Sequence, residues 1–374
     1  MKALFRILTV ILTVASLLPA ADLQGNVSGT LKRAQSPYVA KGDLIVPADA
    51  QLIIEPGVVL LFDTTMVFRV EGTLKAVGSA TRPIVFKSVR KNAKGAAWEG
   101  IRLTNLSSNA TQLKFCRIEN ARRGISLFSV SPTISHCDVL NSAEDGILCD
   151  VSAAILRNNR IAGNGQNGIH AIAFKGLIAD NEISTNGADG IYLEKSHCTV
   201  RNNTIRKNKD DGLFCLNSDG TVKNNLFVQN GDDGILLGNS SPVIFNNVIS
   251  RCDFGLFGYK KSKPSVVNCT IAGNKYGLYA RDTTQFQVEN SILWNNEQTA
   301  FADSVSHISV RYSDVEGGFA GKGNFSRDPQ FSDENFTQLS PQTPCNKGAN
   351  PVPVYKQSGF PVGVVGARLK QQGK

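Results

Sequence analysis

Residues 181–234 read NEISTNGADGIYLEKSHCTVRNNTIRKNKDDGLFCLNSDGTVKNNLFVQNGDDG, and one pattern occurs there three times at 22-residue spacing. Asn181, Asn203 and Asn225 open the copies, Asn186, Asn208 and Asn230 follow, and Asp189-Gly190, Asp211-Gly212 and Asp233-Gly234 close them before an aliphatic residue. Outward from this stretch the phase holds in nine Gly-aliphatic pairs, from Gly100-Ile101 through Gly124, Gly146, Gly168 and Gly255 to Gly277-Leu278. Self-similarity at a fixed short period is the mark of a stacked repeat protein.

Two further registers run in phase. Asn159 and Asn247 extend the first asparagine row, with Cys116 and Cys137 upstream and Cys269 and Ser291 downstream; Asn164, Cys252 and Asn274 extend the second. Asparagine tolerates left-handed backbone and bonds locally, which suits tight turns. Stacked coil on coil, its amides also bond to one another, so a buried row satisfies its own donors and acceptors. Between the turns lie runs of three to five residues with period-two alternation, such as Ile191 and Leu193 against Tyr192 and Glu194. No ten-residue helical pattern fits, which excludes leucine-rich, ankyrin and tetratricopeptide arrays. Three short strands per coil remain: an all-β solenoid with about 22 residues per coil.

On these residues the chain resembles right-handed parallel β-helix proteins of the bacterial secreted, pectate-lyase-like kind, over roughly residues 40 to 316. Leu52-Ile53-Ile54-Glu55-Pro56-Gly57-Val58, Val70-Glu71-Gly72-Thr73-Leu74 and Pro83-Ile84-Val85-Phe86 look like the longer, less regular opening coils of such proteins. Trp98-Glu99-Gly100-Ile101 resembles the start of the regular array, and Asp328-Pro329-Gln330-Phe331 and Ser340-Pro341-Gln342-Thr343-Pro344-Cys345 resemble a closing tail. Such proteins include pectate lyases, polysaccharide epimerases, glycoside hydrolases, the copper-handling periplasmic NosD proteins and members without known activity. The resemblance implies a weak association with carbohydrate.

Lys2 and Arg6 precede the apolar run Ile7 to Leu18, and Pro19-Ala20-Ala21 supplies small residues for cleavage. This is the pattern of a secretory signal peptide at residues 1–21, too short for a membrane span. We therefore expect export to the periplasm or beyond, an N-terminal cap at 22–45, a β-helix at 46–316 and a C-terminal cap or tail at 317–374. Loss of Lys2 and Arg6 lowers the formal net charge from +9 to +7. About twelve coils at ~4.8 Å would make a rod on the order of 60 Å long, whose ends need caps against edge pairing.

Eight cysteines in an exported chain invite disulfides, yet Cys116, Cys137 and Cys269 occupy the asparagine register, and Cys149 and Cys215 share an inward phase. They read as small core residues, with Cys116 and Cys137 close enough for one bridge. Scarce methionine and histidine argue against copper delivery.

Chemistry must then sit on the outside. The position after each inward aliphatic residue reads Ser126, Leu148, His170, Tyr192, Phe214, Leu236, Phe257, Tyr279, and the row two positions on includes Phe128, Glu194, Leu216 and Tyr259. An aromatic stripe on a face otherwise polar marks a binding surface, and flat rings suit sugars. We take His170, Tyr192, Phe214, Phe257, Tyr259 and Tyr279 as ligand-binding candidates for a polysaccharide, a cell-surface glycan or a surface partner. The bland alternative is that the stripe is covered by the tail, with Phe319, Phe325, Phe331, Phe336 and Tyr355, or by a second copy.

A second candidate is acidic. Asp145, Asp189, Asp211 and Asp233 precede their glycines in phase, with Asp210 and Asp232 beside them and Asp253 below. Stacked carboxylates repel, and calcium on Asp189, Asp211 and Asp233 would relieve that; calcium is the one cofactor this pattern suggests. Asp189, Asp210, Asp211, Asp232 and Asp233 could alternatively supply general acid and base. Against both stands turn chemistry, since Asp-Gly and Asn-Gly are good turn sequences and Asn167 fills the same phase without charge. The chain lacks the Asn-Thr-Asp, Gly-His-Gly and Arg-Ile-Lys motifs of polygalacturonases and the Asp-Pro-His-Asp of alginate epimerases. Basic clusters at Arg90, Lys91, Lys94, at Arg122, Arg123 and at Lys260, Lys261, Lys263 would, on an exported protein, meet anionic polysaccharide or lipid headgroups sooner than nucleic acid.

Overall fold

The computed structural model describes residues 20–90, 95–349 and 364–367. The expected leader lies outside them up to residue 19, as do Lys91, Lys94 and Tyr355. The chain winds as a right-handed parallel β-helix in which every strand pairing is parallel. Each coil contributes three strands, to a front, a back and a side sheet. In one coil these are Ile191–Glu194 in front, His197–Arg201 behind and Thr204–Arg206 at the side.

The back sheet holds thirteen strands, from Gly29–Leu31 to His307–Arg311, one per coil. Winding starts within the segment expected as a cap, because Ala21–Asn26 already pairs with Tyr38–Val46, a strand that runs round the corner from side to front sheet. At the other end Asn324 closes the interior ladder. It accepts the Ser313 N–H at 3.1 Å and donates to the Val310 carbonyl at 2.9 Å.

The corners explain the sequence pattern. In a regular coil three residues have positive φ, such as Lys195, Asn202 and Lys207, and in this coil each is followed by a buried polar residue: Ser196, Asn203 and Asn208. The Asn-Asn doublets are therefore one left-handed corner plus one rung of a ladder. Asn203 Nδ2 donates to Asn225 Oδ1 at 3.0 Å and to the Ile178 carbonyl at 3.0 Å, and the Asn203 N–H donates to the same Oδ1 at 2.9 Å. A serine row, Ser196, Ser218, Ser240 and Ser262, does the same work at the third corner and was not apparent in the sequence pattern. Buried polar groups are thus paired along all three ladders, with the Ser142 and Thr284 hydroxyls as exceptions.

Inside, aliphatic residues stack in columns, and the broader opening coils are filled by Phe62, Phe68, Phe86 and Trp98. All eight cysteines are buried thiols. The only helical segments among the described residues are two single 3₁₀ turns, and no helix there is long and apolar enough to cross a membrane.

Candidate functional site

Parallel pairing in register sets the outward row of the front sheet as Ser126, Leu148, His170, Tyr192, Phe214, Leu236, Phe257, Tyr279 and Phe301. Ser126 and Leu148 are buried, whereas the six expected binding residues from His170 to Tyr279, Tyr259 included, are each part-exposed. Ring centroids lie 4.9 Å apart for His170 and Tyr192, 5.0 Å for Tyr192 and Phe214, 5.1 Å for Phe257 and Tyr279, and 4.6 Å for Tyr279 and Phe301. The spacing is the axial rise of a parallel sheet. Gly238 leaves room for the Tyr259 ring, which a Cβ there would strike at 2.7 Å.

The described tail takes another face. Phe336 packs on Gly273, Arg251 pairs with Glu334 at 3.3 Å, and Ala367 N–H donates to Thr270 Oγ1 at 3.0 Å. All of these belong to the side sheet or its corner loops.

Beside the aromatic row, at the corner that leads into each front strand, the acidic residues form a buried column rather than a surface row. Asp233 N–H donates to Asp211 Oδ1 at 3.0 Å, Asp211 N–H to Asp189 Oδ1 at 3.1 Å, Asp189 N–H to Asn167 Oδ1 at 3.1 Å and Asn167 N–H to Asp145 Oδ1 at 3.2 Å. Carboxylate and amide oxygens accept equally well here, which is why Asn167 fits the phase. At the lower end the next coil is one residue short and sets Phe254 opposite Asp233, leaving a buried Asp233 oxygen without a donor.

Charge distinguishes the two ends. Burial pushes the Asp189 carboxyl up to about 7, assisted by Asp210 and opposed by the Asp211 N–H and His170. Asp211 and Asp233 move upward for the same first reason, burial, reinforced by the neighbouring carboxylates. Asp145 goes the other way: burial raises it, but His170, Asn167 and Arg123 together hold it below the usual carboxylate range. His170 Nδ1 and Arg123 Nε each lie 3.5 Å from Asp145 Oδ2, and His170 Nε2 is shielded from water with no partner.

Asp210 and Asp232 are exposed and complete two groups, Asp189 with Asp210 and Asp211, and Asp211 with Asp232 and Asp233, whose oxygens lie within 4.8 Å of one another. Hard carboxylate oxygens in such sets suit calcium or another hard divalent cation, and the Asp233 oxygen that accepts no hydrogen bond is a donor atom such an ion could use. The structure thus brings together all five acidic candidates and sets them beside the aromatic row. The Asp145–His170–Arg123 contact was not apparent in the sequence: Arg123 precedes Gly124 in the same phase as Asp145, but His170 comes from another phase, 25 residues beyond Asp145.

The family described as right-handed β-helix region matches residues 99–248 and 195–336, more than half of the chain, and the chain belongs to it. Protein bark beetle of Drosophila melanogaster is 44% identical over 63 residues, which span 17% of this chain and 2% of that protein. Among solved structures, the periplasmic alginate epimerase AlgG superposes with a TM-score of 0.50 at 15% identity, covering 73% of this chain and 76% of its own. Pectate lyase Pel9A superposes with a TM-score of 0.46 at 13% identity, covering 84% and 87%. The alginate lyase AlyGC of the PL6 family gives 0.44 at 13%, covering 89% of this chain and 58% of its own. At these identities the likeness is one of fold.

Proposed function

We propose that this is an exported protein that holds a polysaccharide lengthwise along the front sheet, its sugar rings on the row from His170 to Phe301. The observation that carries this reading is the row itself: two runs of part-exposed rings at 4.6 to 5.1 Å intervals, His170–Tyr192–Phe214 and Phe257–Tyr279–Phe301, on either side of Leu236. Aromatic faces bind apolar ring faces without asking for a particular hydroxyl pattern. The leader pattern at residues 1–21 supports export, and the periplasmic alginate epimerase of the same fold acts on an acidic polysaccharide.

A second reading, calcium-dependent cleavage or epimerisation of the bound chain, draws on the acid groups and on Asp145–His170. Calcium held by Asp189, Asp210 and Asp211, or by Asp211, Asp232 and Asp233, would neutralise an acidic sugar. His170, whose Nδ1 lies 3.5 Å from Asp145 Oδ2, would adjoin the bound chain at the head of the row, although its buried Nε2 would have to be uncovered before it could accept a proton. One experiment separates the readings: mature protein is incubated with acidic and neutral polysaccharides, with calcium and then with chelator, and chain length and co-elution are followed. Intact chains co-eluting with protein support binding. Chains shortened only with calcium would move the function to the acid column, and chains that neither co-elute nor shorten would remove both readings.

A further inference from the structure

North of His170 the outward row changes character. Above Ser126 it continues to Arg102 and then Arg69, which are register partners on adjacent strands. The two guanidinium groups open onto a groove of about 430 Å³ lined by Arg69, Glu71, Arg102, Thr104, Leu106 and Phe128. Its charges are unequally satisfied. Glu71 lies 3.1 Å from Arg69 Nε, but at an angle that makes no hydrogen bond, so that buried N–H has no acceptor. Arg102 is exposed, pairs with no carboxylate among the described residues, and rests over the Phe128 ring with its central carbon 5.1 Å from the centroid.

Two stacked cations against one carboxylate leave an excess positive charge beside an aromatic face and an exposed leucine, Leu106. Like charges in register on neighbouring strands are unfavourable unless an anion lies between them. A guanidinium presents a planar fork of donors that matches an oxyanion bidentately, and the ring beneath holds that fork in place. We propose that this groove is an anion subsite, taking a carboxylate or sulfate carried on a sugar ring that packs against Phe128. The inference rests on the polysaccharide reading and adds to it both a chemical class and a direction. From Arg69 to Phe301 the row has ten coil steps, about 48 Å, so a chain seated on the aromatic half has its charged units read at the Arg102 end.

The test uses the mature chain and titrates three probes of equal length by calorimetry: an oligogalacturonate, its methyl ester, and a sulfated oligosaccharide. Arg102→Gln, an exposed position where the fold is not at risk, should weaken whichever anionic probe binds by about 10-fold, the worth of a charge-assisted bidentate contact. It should leave the ester within about 2-fold, as the ester keeps the ring and loses the charge. The parent preference between carboxylated and sulfated probes then names the source of the anion. Unchanged affinity for both anionic probes in Arg102→Gln, with binding still lost in Tyr192→Ala/Phe214→Ala, overturns the subsite and leaves the polysaccharide reading standing. Loss in Arg102→Gln with no effect of the double alanine variant upholds an anion site and removes the stripe as the sugar platform. Absence of binding by all three probes overturns both.

Discussion

The Asp211 carboxyl is where composition and position disagree most. It is buried, it accepts the Asp233 N–H, and carboxylates above, below and beside it push its proton affinity up after burial has already done so. Asp189, pushed up to about 7, and its neighbours therefore bind protons in the folded chain at pH values where an unfolded aspartate, near 3.9, has lost them. The native state then holds more protons than the unfolded state above pH 4, so this column's contribution is complete below that pH and declines as pH rises through 7 and beyond. In chelator, Asp211→Asn should raise stability at pH 8 by about 1–3 kcal/mol and flatten the fall between pH 5 and 8. Thermal melts of both proteins across that range check it; a variant less stable than the parent at pH 8 would mean that the column is not proton-loaded. Calcium at pH 8 should stabilise the parent and not the variant. That asparagine works at this phase was legible in Asn167. That the aspartates face inward was not, because Asp-Gly is equally good chemistry for an exposed turn.

At the scale of one coil, the sequence showed the period, the strands and two of the three ladders because each repeats a residue type at one phase. It did not show Ser196 to Ser262 as a ladder, since serine is common in loops, nor the Arg69–Arg102 pairing, since the opening coils are irregular and put partners 33 positions apart. The glycines that announced the fold have a packing reason. A Cβ on Gly212 would lie 2.6 Å from the Gly234 carbonyl oxygen, 2.7 Å from Asn230 Nδ2 and 2.8 Å from Phe227. Two of these three obstacles, a backbone carbonyl and a ladder amide, cannot step aside without breaking the stack. Gly212→Ala should cost about 3 kcal/mol, at the upper end for overpacking, and urea unfolding measures it. Removing a rung by Asn203→Ala should cost a similar amount, because it strands the Asn181 N–H and the Ile178 carbonyl inside. If either variant unfolds with the parent, adjacent coils tolerate slippage and the ladder is not what fixes register.

For the whole molecule the relevant property is rigidity along one axis. A solenoid whose every coil bonds only to its neighbours keeps each outward row straight, so side chains that are unremarkable singly become a periodic surface. From His170 to Phe301 that surface spans six coil steps, about 29 Å. A polymer lying on it should gain affinity with every unit until it covers the row and gain nothing from units beyond it, whereas a site that recognises a chain end would be saturated by the shortest fragment. Titrating a ladder of neutral oligosaccharides distinguishes the two, since the Arg102 groove does not contribute to uncharged chains. Affinity that levels off at a chain length near 29 Å, and at a shorter length after Tyr279→Ala, fits a linear platform. A single plateau from the smallest fragment onward would place recognition at one coil, and the neighbourhood of His170 and Asp145 would then be the place to look for it.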